Sequence, residues 1–193
     1  MRILVLFAHP VEESFAAALH RTAVARLEER GHEVDDCDLY AEGFDPVLSR
    51  AERLAYHDVG DNLAPVSGYV ERLLAAEALV LMYPVWNYGY PAILKGFFDR
   101  VFLPGVSFRM VDGKVAPALG NIGRLTTVTT YGGARLLTIL AGDPPRKVVK
   151  RVLRRTIRPG APLAYLAHYD MNRSTDRTRE RFMARVDAHF AGW

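Results

Sequence analysis

The feature that most restricts the fold of this chain is a series of short apolar runs, each leading into or out of a stretch with helical spacing. "ILVLF" lies within Arg2–Phe7, "ALVLMY" is Ala78–Tyr83, "LTTVTT" is Leu125–Thr130 and "LAYLAH" is Leu163–His168. Continuous runs of this length fit strands covered on both faces, because a half-exposed strand would alternate polar with apolar. Glu33–Leu39 is a more polar run and reads as a strand next to an edge. Helical patterns occupy Ser14–Arg30, Val66–Glu77, Pro91–Phe102 and Ser174–Phe190. Strands joined by helical crossovers run parallel, so the expected architecture is α/β: a doubly wound five-stranded parallel sheet with helices on both faces.

Turn residues punctuate this pattern. Gly31 closes the first helix. Residues 41–64 form a long excursion with a short helix near Arg50–His57. Asp112-Gly113, inside the alternating stretch Ser107–Leu119, is a type I′ hairpin signal. Asp143-Pro144 reads as an N-cap and first-turn pair opening a helix to about Arg155. With no repeat and no linker, residues 1–193 read as one domain.

Composition removes several classes. One cysteine forbids an intrachain disulfide, and Cys37 lies among Asp35, Asp36 and Asp38, where a thiolate is disfavoured. No window approaches ~20 apolar residues, so no membrane span is expected. The N-terminal run lacks a cleavage site and reads as a buried strand, which makes the cytoplasm the expected location. The histidines have no metal-ligand spacing, so no metal site is expected. A formal charge of +3 does not argue for nucleic acid. The basic stretch "RKVVKRVLRR", Arg146–Arg155, has Val148, Val149, Val152 and Leu153 as an apolar stripe opposite its charges. That is a solvated helix face, or an attractor for the phosphates of NADPH or an acidic partner.

In open parallel sheets, ligands sit beyond the carboxyl ends of the strands, so three loops carry the functional reading. "AHPVEESF" has no glycine, yet a helix N-terminus offers unpaired amides to an anion. His9 adds a ring N–H and Ser14 a hydroxyl; a plain N-cap role for Ser14 is equally open. Glu12 and Glu13 must then face solvent or a partner. Neither G-x-G-x-x-G nor a P-loop is present, which disfavours a dinucleotide fold of that type and a P-loop nucleotidase. The second loop places Trp86, Asn87, Tyr88, Gly89 and Tyr90 between Pro84 and Pro91. Three aromatics there suit a flat conjugated ligand, an aromatic dimer contact or a small core cluster. In the third loop, "VTTYGGA", Gly132 and Gly133 suit close approach of backbone to a ligand, or a simple tight turn.

Together, "AHP…SF", "YPVWNYGYPAILKGFFDRVF" and "TTYGG" resemble the NAD(P)H:quinone oxidoreductase family over about residues 1–135, and "DLYAEGFDPVLS" adds to the likeness. The resemblance implies a flavodoxin-like fold, a tightly bound flavin and a homodimer with the flavin near the subunit interface. It implies NAD(P)H as electron donor and a quinone or other small molecule as acceptor. Carried over, His9, Ser14 and Phe15 hold the phosphate end. Pro84, Val85, Trp86, Asn87 and Tyr88 line the isoalloxazine, and Thr130, Tyr131, Gly132 and Gly133 meet its pyrimidine edge. Two departures stand out. Tyr131 interrupts the Thr-Thr-Gly-Gly of many relatives, and the Tyr and His that follow the glycines in mammalian members have no counterpart in "ARLLTILAGDPPR". Tyr131 is the substitute catalytic donor on this reading. FMN is expected rather than FAD, because the chain is compact and one helix end holds one phosphate. One ring face serving both substrates predicts ping-pong kinetics. The alternatives are a flavodoxin-type electron carrier and a flavoprotein regulatory subunit bound to a partner such as a membrane transporter.

Overall fold

The computed structural model describes all 193 residues. Seven strands form: β1 (Arg2–Phe7), β2 (Glu33–Asp38), β3 (Ala78–Val85), β4 (Phe108–Val111), β5 (Lys114–Pro117), β6 (Arg124–Tyr131) and β7 (Leu163–His168). Five make a parallel sheet in the order β2-β1-β3-β6-β7, and β4 and β5 pair as a separate hairpin. The expected five-stranded parallel sheet is therefore present. Asp112 and Gly113 turn the hairpin with φ of 50° and 72°, as a type I′ turn requires.

Seven α-helices surround the sheet: α1 (Phe15–Glu29), α2 (Arg50–Ala55), α3 (Ser67–Ala75), α4 (Ala92–Val101), α5 (Arg135–Leu140), α6 (Pro144–Lys147) and α7 (Asp176–Ala191). The pleat sends Ile3, Val5 and Phe7 to one face, where they meet Leu19 and Leu27 of α1 and Phe182, Val186 and Phe190 of α7. Leu4, Leu6, Leu79 and Leu81 point the other way, onto Val70 and Leu73 of α3 and Leu94 and Phe97 of α4. No helix is long and apolar enough to cross a membrane.

β2 is the edge strand itself, and partners meet its carboxylates. Arg72 meets Asp35 of this strand at 2.7 Å and also Glu42, beyond its end, at 2.8 Å, while His20 lies 2.8 Å from Asp36. Cys37 is fully buried between them, and burial pushes its thiol far up, out of the reactive range.

The excursion after β2 is anchored to α4. A capping box, Ser49 with Glu52, starts α2, and Glu52 also meets Arg100 of α4 at 2.6 Å. The expected helix from Val66 instead follows a 3-10 segment, Asp61–Val66, and begins at Ser67. Gly96 lets α4 lie directly on this excursion. A Cβ there would fall 2.3 Å from the Pro46 carbonyl oxygen and 2.4 Å from its Cα, both backbone atoms that cannot rotate away. Gly96→Ala is expected to destabilise by about 1–3 kcal/mol despite alanine's better helix propensity, read as a lower urea midpoint at unchanged m-value.

α6 continues as a π turn, Val148–Val152, and a 3-10 turn, Leu153–Arg155. The helical run opens at Asp143-Pro144 and ends at Arg155 as expected, with two differences. Asp143 stands at the N-cap position, but in the left-handed region (φ 44°) with no side-chain cap. The wide turn also shifts the helical phase, so Val149 and Leu153 are buried while Val152 is 55% exposed.

Candidate functional site

The chain order changes direction at β1 and β3: β2 lies to one side of β1, and all later sheet strands lie to the other. The loops after β1, β3 and β6 therefore emerge side by side at the carboxyl edge. The His9 and Trp86 rings, from the first two loops, stand 5.8 Å apart. Val85 pairs with Tyr131 at the end of the β3–β6 ladder, which joins the second loop to the third.

In the first loop, Ser14 caps α1 by accepting from the Ala17 amide at 3.1 Å. Its own hydroxyl proton stays available, and the amides of Phe15 and Ala16 have no hydrogen-bond partner. His9 Nδ1 lies 3.0 Å from the Val11 amide and 3.2 Å from the Val11 carbonyl; in the tautomer that accepts from the amide, the neutral ring carries its proton on Nε2. Burial lowers the His9 pKa, so the ring is a neutral donor near pH 7. Glu12 and Glu13 are exposed, as an anion site here requires. The Phe15 ring packs against His168 at 5.8 Å and Phe182 at 6.4 Å, fixing the start of α1 on the sheet.

The second loop is a tight turn the sequence did not reveal. Trp86 and Gly89 exchange backbone hydrogen bonds at 3.2 and 2.8 Å around Asn87 (φ 48°) and Tyr88 (φ 57°). A tyrosine in the left-handed region is strained, so the packing around this turn must hold it there. The turn leaves Trp86 and Tyr88 41% and 49% exposed above a buried Pro84 and a half-buried Val85. Tyr90 leaves this group: its hydroxyl donates to the Pro145 carbonyl at 2.8 Å, tying the loop to α6.

In the third loop, the Gly132 carbonyl accepts from Asn172 at 3.2 Å and the Gly133 carbonyl from Asp170 at 2.9 Å. The two glycine amides have no partner. A Cβ on Gly133 would meet nothing within 4 Å, whereas one on Gly132 would lie 3.2 Å from Asn172 Oδ1. Thr130 is buried on the α1–α7 side of β6. Tyr131, on the opposite face, is also buried, and its hydroxyl donates to Asp143 Oδ1 at 2.7 Å. The Tyr165 hydroxyl sits 2.7 Å from that of Tyr131, extending the chain inward. Burial first, then Tyr165 and Asp143, push the Tyr131 hydroxyl far above its ordinary range, so it stays protonated. Arg146 Nε lies 2.9 Å from Asp143 Oδ2, close enough to pair electrostatically though not aligned as a hydrogen bond. Sequence reading missed Asp143, Arg146, Asp170 and Asn172, which buttress this loop from distant positions.

Burial also lowers the pKa values of His32, His168 and His189. Unfolded histidines titrate near 6.5, so below that pH the unfolded chain takes up protons that the folded one resists. Stability is expected to be complete above about pH 6.5 and to fall as the pH drops through the folded values. Thermal unfolding followed from pH 7.5 to 5 tests this.

A parallel sheet reversing at its first strand, with anion-type donors on the loops beyond it, defines an α/β protein of the flavodoxin type. The chain belongs to the flavodoxin-like fold family, whose model matches residues 1–155. It is 30% identical over 155 residues to NAD(P)H dehydrogenase (quinone) 1 of Rattus norvegicus, an overlap of 72% of this chain and 56% of that protein. The chain spans a little over half the length of the curated relatives it matches. The crystal structure of Smu.1420 from Streptococcus mutans UA159 covers 100% of both chains with a TM-score of 0.86 at 26% identity. The NAD(P)H:quinone oxidoreductase of Methanothermobacter marburgensis superposes with a TM-score of 0.85 at 24% identity, covering 99% of this chain and 98% of that one, a likeness of fold.

Proposed function

We propose that this chain is a flavin-dependent NAD(P)H oxidoreductase that reduces quinones or similar small acceptors. The observation that carries the reading is the set of unpaired donors converging on one sheet edge: the amides of Phe15, Ala16, Gly132 and Gly133. His9 Nε2 and the Ser14 hydroxyl add to them. The first-loop donors suit a phosphate, and the glycine amides suit the pyrimidine edge of a flat ring, where negative charge accumulates on reduction. Pro84–Tyr88 supplies the wall beside that ring, and the open space over Gly133 gives it room. When bound, the flavin supplies hydride chemistry between a nicotinamide donor and an acceptor. The protein's part is to hold, orient and stabilise charge. Tyr131, its hydroxyl held by Asp143, acts on this reading by positioning the glycine turn. One open face accommodates donor and acceptor in turn, which corresponds to ping-pong kinetics. The name borne by the rat relative supports this substrate pair.

The purified protein is expected to show flavin absorbance bands that anaerobic NADPH or NADH bleaches and a quinone restores. A colourless protein that binds neither FMN nor FAD would sink the proposal. FMN remains the first choice. One observation bears on FAD: a groove of about 480 Å³ beside Phe15 has room for an adenine, although Asp176, Glu180 and Asp187 line it along with Thr22, Met183 and Ala184. Chromatography of the flavin released by heat decides between them.

Apolar surface flanks the site. Leu136, Leu137, Ile139 and Leu140 of α5 are each more than half exposed, immediately after the third loop. An apolar groove of about 520 Å³ runs from Gly89 along Phe98, Phe108 and Val148. Both suit cover by a second copy. Leu136→Lys with Leu140→Lys is expected to convert a dimer to a monomer in light scattering, with lower flavin content; a wild-type mass would count against α5 as the contact.

A further inference from the structure

The helix that starts at Pro144 beside the third loop ends at the opposite edge of the sheet. Its last turns carry Lys150, Arg151, Arg154 and Arg155, all exposed. These four cations line one cleft of about 440 Å³, with Pro117 and Gly160 among the remaining walls. No carboxylate lines it. The four make no ion pair or side-chain hydrogen bond, whereas Arg72, Arg100 and Arg146 each meet a carboxylate within 3 Å. The four like charges crowd onto the π and 3-10 turns that end this helical run, and no carboxylate of the cleft neutralises them. The helix dipole at this end compensates part of the repulsion, but it falls off within the last turn.

We propose that this cleft binds a ligand carrying two or more adjacent phosphoryl groups. Arginine forks match phosphate oxygens bidentately, and three arginines with one lysine around a single concavity suit neighbouring phosphates better than one isolated anion. The concave shape and the proline and glycine walls favour a compact ligand over a flat lipid surface. The cleft also lies away from the proposed flavin site. Gly160 precedes the start of β7, and the adjoining Arg158 amide bonds to Ile122 just before β6, so the cleft opens at the amino edge of the sheet. It therefore does not rest on the flavin reading, and the phosphates of a nicotinamide donor stacked at the carboxyl edge are not its ligand. A nucleotide and an inorganic polyphosphate share the chemistry required.

Isothermal titration of the protein as purified, in low-salt buffer, tests this with sodium tripolyphosphate, ATP and AMP. One tripolyphosphate or ATP should bind per chain, and AMP at least tenfold more weakly. Lys150→Ala with Arg154→Ala should weaken tripolyphosphate binding at least tenfold. Arg177→Ala with Arg181→Ala removes the same charge at the same spacing on α7 and should change it less than twofold. Tighter binding of ATP than of tripolyphosphate assigns a nucleotide, and the reverse assigns inorganic polyphosphate. Absence of binding by both probes overturns the proposal, as does equal weakening by the two double variants. So does tight binding to phosphatidylserine vesicles that tripolyphosphate does not displace. Thermal unfolding of both variants confirms that each is folded.

Discussion

Asp143→Ala is expected to lower stability by about 2–4 kcal/mol and to reduce flavin content with it. The Asp143 side chain is only 10% exposed, and each oxygen has a partner: Oδ1 accepts from the Tyr131 hydroxyl at 2.7 Å, and Oδ2 lies 2.9 Å from Arg146 Nε. Removing it strands a guanidinium whose side chain is itself only 27% exposed, which is the costly way to break an ion pair. The residual exposure of Arg146 keeps the figure below that of a fully buried pair. Alanine also tolerates φ 44° less well than aspartate, adding roughly 1 kcal/mol within that range. Asp143→Asn separates these contributions. It keeps a side-chain oxygen for Tyr131 and a residue at ease in the left-handed region, and it loses the charge and the acceptor that face Arg146. Its expected cost is about 1–2 kcal/mol. Urea unfolding measures both, and released flavin per chain measures the consequence at the third loop. An alanine variant with the wild-type midpoint would show that the Tyr131–Asp143–Arg146 chain carries no such load.

The sequence made the scaffold readable because strands and caps are local. Apolar runs placed β1, β3, β6 and β7, Ser14 announced α1, and Asp112-Gly113 announced its own turn. Asp143 was legible in position but not in its partners, for the opposite reason. Before Pro144 an aspartate looks like a cap, and its actual partners, Tyr131 and Arg146, meet it only once β6 and the following helix are packed. Val152 reads as core in an ideal helix; the π turn that rotates it outward has no signature in "RKVVKRVLRR". The Asn87-Tyr88 turn is hidden because tyrosine in a left-handed conformation runs against propensity, and only the fold around it holds it there. Of the candidate site, the three loops were legible as loops at strand ends. What was not legible is the support: Asp170 and Asn172 hold the glycine carbonyls from beyond β7, and that contact exists only through the pairing of β6 with β7.

Gly133→Val is expected to leave the fold unchanged and to lower flavin retention at least tenfold. The backbone at Gly133 is not in the left-handed region, and a Cβ would meet nothing within 4 Å, so valine fits the protein alone. Its stability cost should stay within about 0.5 kcal/mol, as for other surface replacements. The Asp170 amide still reaches the Gly133 carbonyl, because the carbonyl does not move. What changes is the space in front of the amides of Gly132 and Gly133. Two methyl groups now stand where a flat ring must approach for those amides to donate to it, and a tenfold loss corresponds to about 1.4 kcal/mol of binding. Gly132→Val is a less clean test, since its Cβ would press on Asn172 and disturb the buttress as well as the ligand. Equilibrium dialysis of FMN and FAD against Gly133→Val, with urea unfolding in parallel, gives the answer directly. A folded variant that keeps flavin at the wild-type ratio would remove the third loop from the site and leave its unpaired amides without a ligand.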